Sequence, residues 1–268
     1  MKGEFAAIGG HMPLSITWYE QIESTQNPAM QAAQQGQPEG LVWVADHQTA
    51  GRGRLRQGEP RVWHAPPGSG LMFSLLLRPR LPPDKASALT LAVAVGCARA
   101  LETHTTAGPI QLKWPNDLYL GGLKLGGILT EGLVMHNRTE ALVVGVGINV
   151  NLAAHAVPEP IRGLATSLQM ATGQTWDRLA LLPVVVAQIR SAVAEVVASQ
   201  GRLEGIAQAW EARSMVTGQR ATIEPQGITG LVQGLAPDGG LLIEDDQGTP
   251  HTIRSGELTL TASTPEEG

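Results

Sequence analysis

The 268-residue chain has a single cysteine, Cys97, so neither a disulfide framework nor a cysteine metal cluster is open to it. A lone thiol fits a reducing compartment. Its setting in the apolar run LTLAVAVGCARALE marks it as a small core side chain. Basic charge is also scarce. There are 19 Lys and Arg against 24 Asp and Glu, a net charge of −5, and only 16% of residues are charged. Such a chain lacks the basic face of a general nucleic-acid binder. No run of about 20 uninterrupted apolar residues occurs, so no membrane-spanning helix is expected. The histidines (His11, His47, His64, His104, His136, His155 and His251) are scattered without metal-ligand spacing, and none is assigned to a site. Long linkers and internal repeats are missing too. MKGEFAAIGGHM has no signal-peptide pattern, because its apolar part is short and broken by glycine. GGHM reads as an expression-tag scar. Residues 1–11 are therefore expected to be a tag remnant, with Met12 as the natural start and no room for a helix-turn-helix ahead of the strand SITWYE.

What the chain does have is core material: 43% of its residues are hydrophobic. That suffices for one large domain, or a large domain with a small one. ITWYEQI, GLVWVADHQ, GLMFSLLLRP, IQLKW and ALVVGVGINVN read as strands. ASALTLAVAVGCARALETH, DRLALLPVVVAQIRSAVAEVVAS and LEGIAQAWEARS read as helices. ESTQNPAMQAAQQGQ is a turn entering a helix that Ser24 or Thr25 would cap. LYLGGLKLGGILTEGLV reads as a hairpin turning at Gly121-Gly122. Beyond about residue 213, short strands separated by Gly, Pro and Asp predict a small β-barrel. The expected division is 12–213 for the main domain, 214–263 for the barrel, and 264–268 for a frayed tail.

Two stretches carry chemistry. GRGRLRQGEPRVW, residues 51–63, gathers four arginines, three glycines and a proline. Arginine holds phosphate or carboxylate as a planar fork, and glycine permits close backbone approach. A mobile loop closing on an anion fits, although by itself the stretch also suits a solvated surface loop. KWPNDLYLGGLKLGG, residues 113–127, places Lys113, Asn116 and Asp117 at a strand end, because Pro115 forces Trp114 out of helical geometry. Lys124 lies between Leu123 and Leu125. It faces outward if both leucines enter the core and inward if they do not, and alternation alone leaves both open.

ESTQN (23–27), ADHQTAGRGR (45–54), KWPNDLYL (113–120), KLGGILTE (124–131) and GVGINVN (145–151) together resemble the biotin protein ligase family, in order and in spacing. The resemblance runs from about residue 14 to 260. It implies an α+β fold: a mixed β-sheet catalytic domain with helices, of the class II synthetase-like biotin ligase type, plus a small C-terminal SH3-like barrel. It covers the branch without the DNA-binding domain. There are departures. Gln26 follows the Ser-Thr pair where the family usually has asparagine, with Asn27 next. The arginine stretch is longer than usual, leaving either Arg56 or Arg61 as the family's next arginine.

The resemblance implies a cytoplasmic, ATP-dependent ligase. Biotin is activated to biotinyl-5′-AMP, then transferred to a lysine of a biotin carboxyl carrier protein of acetyl-CoA carboxylase. Arg52, Lys113, Asp117 and Lys124 are the implied catalytic residues. Ser24, Thr25, Gln26, Gln48, Gly51, Arg52, Gly53, Arg54, Lys124, Gly126 and Gly127 would bind biotin. Arg54, Trp63, Lys113, Asn116 and Asn149 would bind ATP or the adenylate, with Gly147 giving close backbone approach. Trp63 serves equally well as a core anchor. Mg²⁺ is expected with the triphosphate, touched by Asp117 or Glu131, with no dedicated cage. No nucleic acid or membrane partner is implied, and a homodimer is allowed. Competing readings are a lipoate or octanoate ligase or transferase of the same fold, and a non-catalytic biotin-binding module.

Overall fold

The computed structural model describes residues 2–5, 14–56 and 59–261. The expected tail at 264–268, Met12 and most of the expected tag remnant lie outside them. In chain order the elements are β1 (Lys2–Phe5), β2 (Leu14–Ile22), α1 (Gln26–Gln34), β3 (Leu41–Gln48), β4 (Arg52–Arg56), β5 (Glu59–Val62), β6 (Gly70–Leu77) and α2 (Ala86–His104). Then come β7 (Gln111–Lys113), β8 (Asp117–Leu120), β9 (Leu123–Met135), β10 (Arg138–Asn149), α3 (Leu168–Thr172), α4 (Arg178–Ala198) and α5 (Glu204–Glu211). The last five strands are β11 (Arg220–Glu224), β12 (Ile228–Leu235), β13 (Leu241–Asp245), β14 (Pro250–Ile253) and β15 (Glu257–Leu260).

Eight strands form one mixed sheet in the order β1-β2-β3-β6-β10-β9-β8-β7. Within it β2 and β3 run parallel, joined by α1 as the crossover a parallel pair needs, and the other neighbours are antiparallel. The α+β class with a mixed sheet is thus what the sequence led us to expect. β6 is buried along its whole length, as its apolar run GLMFSLLL requires of a central strand. The Gly121-Gly122 turn forms as expected, with φ of +58° and +76° between the paired residues Leu120 and Leu123. Both values suit the hairpin turn that glycine favours.

α2 and α4 cover one face. They cross at Gly96, where a β-carbon would meet the Ile189 Cα at 2.7 Å. By length and hydropathy, Pro83–His104 and Arg178–Ala198 would each suffice to cross a membrane. Their apolar residues, Leu89, Val93 and Cys97 on α2 with Val185 and Ile189 on α4, instead join the main buried core. α1 covers the opposite face, where Ala29 and Ala33 pack on Trp43, Leu76 and Val143.

The C-terminal strands form a five-stranded antiparallel sheet, order β14-β13-β12-β11-β15. The barrel expectation is met in strand content but not in closure. β14 pairs with β13 and β15 with β11, and no pairing joins β14 to β15 among the described residues. Each has four residues, and the three-residue link Arg254–Gly256 keeps the two edge strands near each other without pairing them. This sheet is no detached module: Ala221, Ile223, Val232, Leu241 and Leu258 belong to the same core as α2.

Candidate active site

Three local arrangements open a cavity of about 640 Å³ on the α1 face of the large sheet. First, glycine replaces side chains where strands cross the cavity floor. Gly147 on β10 pairs with Gly127 on β9, and Gly145 pairs with Leu129. Second, the arginine stretch is no open loop. β4 and β5 form a ribbon pairing Arg52 with Val62 and Arg56 with Glu59, which corrects the loop expectation. Arg52, Arg54 and Arg61 of this ribbon all line the cavity wall, and the ladder register shifts between Arg52 and Leu55. Third, β8 and β9 carry a bulge opposite Leu118 and Tyr119. Leu125 is buried whereas Leu123 is not, so Lys124 turns into the cavity. The bulge settles what alternation left open.

The charges converge. Arg52, Arg54, Arg61, Lys113 and Lys124 share this wall with two carboxylates, Asp117 and Glu257. The Lys124 ammonium lies 2.7 Å from Asp117 Oδ2. Burial pushes the Lys113 ammonium below its ordinary value; Asp117 pulls the other way. Its Nζ lies 5.9 Å from the Tyr119 ring centroid. Burial raises the Tyr119 phenol to about 12. Arg54 donates to the Gly256 carbonyl at 3.3 Å, and Arg61 pairs with Glu257 at 3.5 Å. The C-terminal sheet therefore closes one side of the cavity.

At the other end, Ser24, Thr25, Gln26 and Gln48 line the wall. Thr25 stands at the N-cap of α1, but its hydroxyl makes no cap bond; the Gln26 N–H goes to Ser24 Oγ instead. Gln26 is buried and faces the cavity. Asn27 is exposed and turned toward Glu23, so of the two only Gln26 lines the cavity. Arg61 lines the cavity, whereas the side chain of Arg56 lies outside the described set.

Trp63 lies in the glycine notch. A β-carbon on Gly147 would be 2.7 Å from its ring, and one on Gly127 3.7 Å. Its buried Nε1–H has no hydrogen-bond partner among the described residues. Asn149 lines the cavity while donating to the Thr166 carbonyl at 3.0 Å. Asn116 donates to the Ile128 carbonyl at 2.6 Å, locking β8 to β9. Gly53 and Gly127 line the wall; Gly51 and Gly126 do not. Gly51 lets the Trp63 carbonyl approach, and Gly126 lets the Gly147 carbonyl approach, where β-carbons would sit at 2.7 and 2.6 Å. Glu131 lies outside the wall, bonded to Gln26 and 3.7 Å from Arg52. Sequence reasoning missed Glu257, Tyr119 and Ser74. They sit in RSGEL, DLYL and an apolar strand, where no spacing marks them.

A cation-rich cavity on a mixed sheet, with amide, hydroxyl and indole groups along its wall, suits an acid and a nucleotide. Residues 18–149 match the family model described as Biotin/lipoate A/B protein ligase family. The bifunctional ligase/repressor BirA of Bacillus subtilis is 35% identical over 237 residues, spanning 87% of this chain and 70% of that protein. The biotin–[acetyl-CoA-carboxylase] ligase of Mycobacterium tuberculosis is 29% identical over 226 residues, 82% of this chain and 79% of its own. The solved structure of Aquifex aeolicus biotin protein ligase in complex with biotin and ATP superposes with a TM-score of 0.75 at 33% identity, covering 92% of this chain and 99% of that one. The chain belongs to the biotin protein ligase family.

Proposed function

We propose that this protein activates biotin with ATP and transfers it to a lysine of a biotin carboxyl carrier domain of acetyl-CoA carboxylase. The supporting observation is the convergence of five cations from the ribbon, β7 and β9 on one cavity. In the first step the biotin carboxylate oxygen attacks the α-phosphorus, and the bond to the pyrophosphate oxygen breaks. Two anions must meet, so fixed positive charge in a water-poor site lowers the barrier. Lys124 and Arg52 would hold the carboxylate and α-phosphate; Lys113 and Arg54 would take the remaining phosphate charge. The ring end would lie against Ser24, Thr25, Gln26 and Gln48, and the adenylate against Trp63 and Asn149.

No group of three or more metal-binding side chains is found among the described residues. Mg²⁺ would come as a companion of the nucleotide, with Asp117 and Glu257 as the cavity carboxylates near it. When bound it would neutralise phosphate oxygens. In the second step the acceptor lysine attacks the acyl carbon as a neutral amine, and AMP leaves. Asp117, held by Lys124, would orient that amine. The single cysteine fits a cytoplasmic setting, and the net charge of −5 counts against repressor DNA binding.

Mass spectrometry of a folded carrier domain incubated with the protein, biotin and MgATP tests it. A biotin-sized gain on one lysine, with none from lipoate, is expected. An unchanged carrier, or no pyrophosphate from biotin and ATP, sinks it.

A further inference from the structure

A hydrogen-bond chain behind the ring-binding end has a direction fixed by geometry. Gln26 Nε2 lies 2.7 Å from Glu131 Oε2 and 3.4 Å from the Leu129 carbonyl. Both neighbours accept, so the amide NH₂ must face them; the reverse would set its oxygen against a carboxylate. The amide oxygen then faces Ser74 Oγ at 2.8 Å. It has no proton, so Ser74 donates. Ser74 is fully buried and its single proton is thereby committed. In the 2.8 Å contact between Ser74 Oγ and Thr25 Oγ1, Thr25 must be the donor. Gln48 Oε1 lies farther from that hydroxyl, at 3.2 Å, and already accepts the Thr25 backbone N–H at 2.8 Å. Thr25 is left presenting lone pairs to the cavity.

We infer that Glu131 and Ser74, neither of which lines the cavity, are positioning residues that make Thr25 an obligate acceptor, so that the site selects a ligand ring with an N–H donor there. Glu131 orients the Gln26 amide, that amide orients Ser74, and Ser74 orients Thr25. This rests on the biotin reading, in which the ring is a cyclic urea. A ring presenting oxygen at the same place would set lone pair against lone pair in a desolvated pocket.

The test measures binding of biotin and of its cyclic carbamate analogue, in which oxygen replaces one ring N–H. The proteins are the unaltered chain, Ser74→Ala and Glu131→Ala. The unaltered chain should prefer the urea by about 10–100-fold, the usual result of leaving a buried acceptor unpaired. Ser74→Ala frees the Thr25 proton to turn toward the ligand or toward Gln48 Oε1 at 3.2 Å, so Thr25 is no longer an obligate acceptor and the preference should shrink several-fold. Glu131→Ala should give an intermediate ratio, because the Leu129 carbonyl still holds the amide. A general loosening of the site weakens both compounds alike and leaves the ratio unmoved. Thermal unfolding confirms that each variant is folded. If both folded variants keep the original ratio, this inference falls alone. If the unaltered chain binds neither compound, the biotin reading falls and takes the inference with it.

Discussion

The Trp63 indole fills the space that a β-carbon on Gly147 would need: the nearest ring atom, Cε2, would be 2.7 Å away. Gly147→Ala must therefore expel the ring from its notch. Tryptophan emission should shift to the red, and ATP should bind at least about tenfold more weakly, one lost contact of roughly 1.4 kcal/mol. In the unaltered chain, adding ATP should change the same emission. A Gly147→Ala protein with unchanged emission and unchanged ATP affinity would show that the ring is not held there.

Lys124 and Asp117 should separate the two half-reactions. Lys124→Gln removes a cation at the reacting centre and should slow biotin-dependent pyrophosphate exchange by about 10²–10³-fold. Asp117→Asn keeps the shape of the pair. It should slow transfer from preformed biotinyl-5′-AMP to the carrier more than it slows exchange. Equal losses in both assays would remove Asp117 from the second step.

Lys113 predicts an alkaline dependence of nucleotide affinity. Burial holds its ammonium below the ordinary lysine value. Phosphate binding favours the charged form, so the bound-state value is higher than the free one. ATP affinity should then be flat near neutrality and fall as pH rises through the lowered free value, before an ordinary lysine titrates. Lys113→Arg should stay flat over the same range. Titration calorimetry from pH 7 to about 10 gives the comparison. A fall that persists in Lys113→Arg assigns the effect elsewhere.

The Arg61–Glu257 pair ties the ribbon to the C-terminal sheet. Glu257→Ala should raise the rate of tryptic cleavage within 52–61, and saturating biotin with ATP should slow that cleavage in the unaltered chain. Ordering a segment over an intermediate protects it from water. Identical cleavage with and without both ligands would rule out ligand-driven ordering of the ribbon.

Gly96→Ala tests the scaffold alone. The added carbon would meet backbone atoms of α4, at 2.7 Å from Ile189 Cα and 2.8 Å from Gln188 O. Overpacking of this kind costs about 1–3 kcal/mol. The melting temperature should drop while turnover per folded molecule stays the same. An unchanged melting temperature would mean that the helices part easily.

Much of the fold was legible because local chemistry and tertiary demand agree. The apolar run of β6, the Gly121-Gly122 turn and the long apolar helices each have one good solution. The motif residues were legible because they cluster at strand ends. What escaped the sequence depends on contacts distant along the chain. Lys124 turns inward only because of a bulge set by its pairing with β8. Glu257 reaches the cavity from a sheet more than a hundred residues past Lys113 and Asp117. Ser74 hides as one hydroxyl in an apolar strand, and its value emerges only when Gln26 and Thr25 are brought beside it. Whether β14 and β15 close a barrel was likewise invisible, since hydrophobic alternation is the same in open and closed sheets.

The burial of Cys97 has a practical side. Its thiol is fully enclosed and raised to about 12, so alkylating reagents at neutral pH will find no thiolate there. Any cysteine introduced at a solvent-facing position would be the sole labelling point on the molecule. A fluorophore or spin label on the arginine ribbon could then be attached without first removing a native residue.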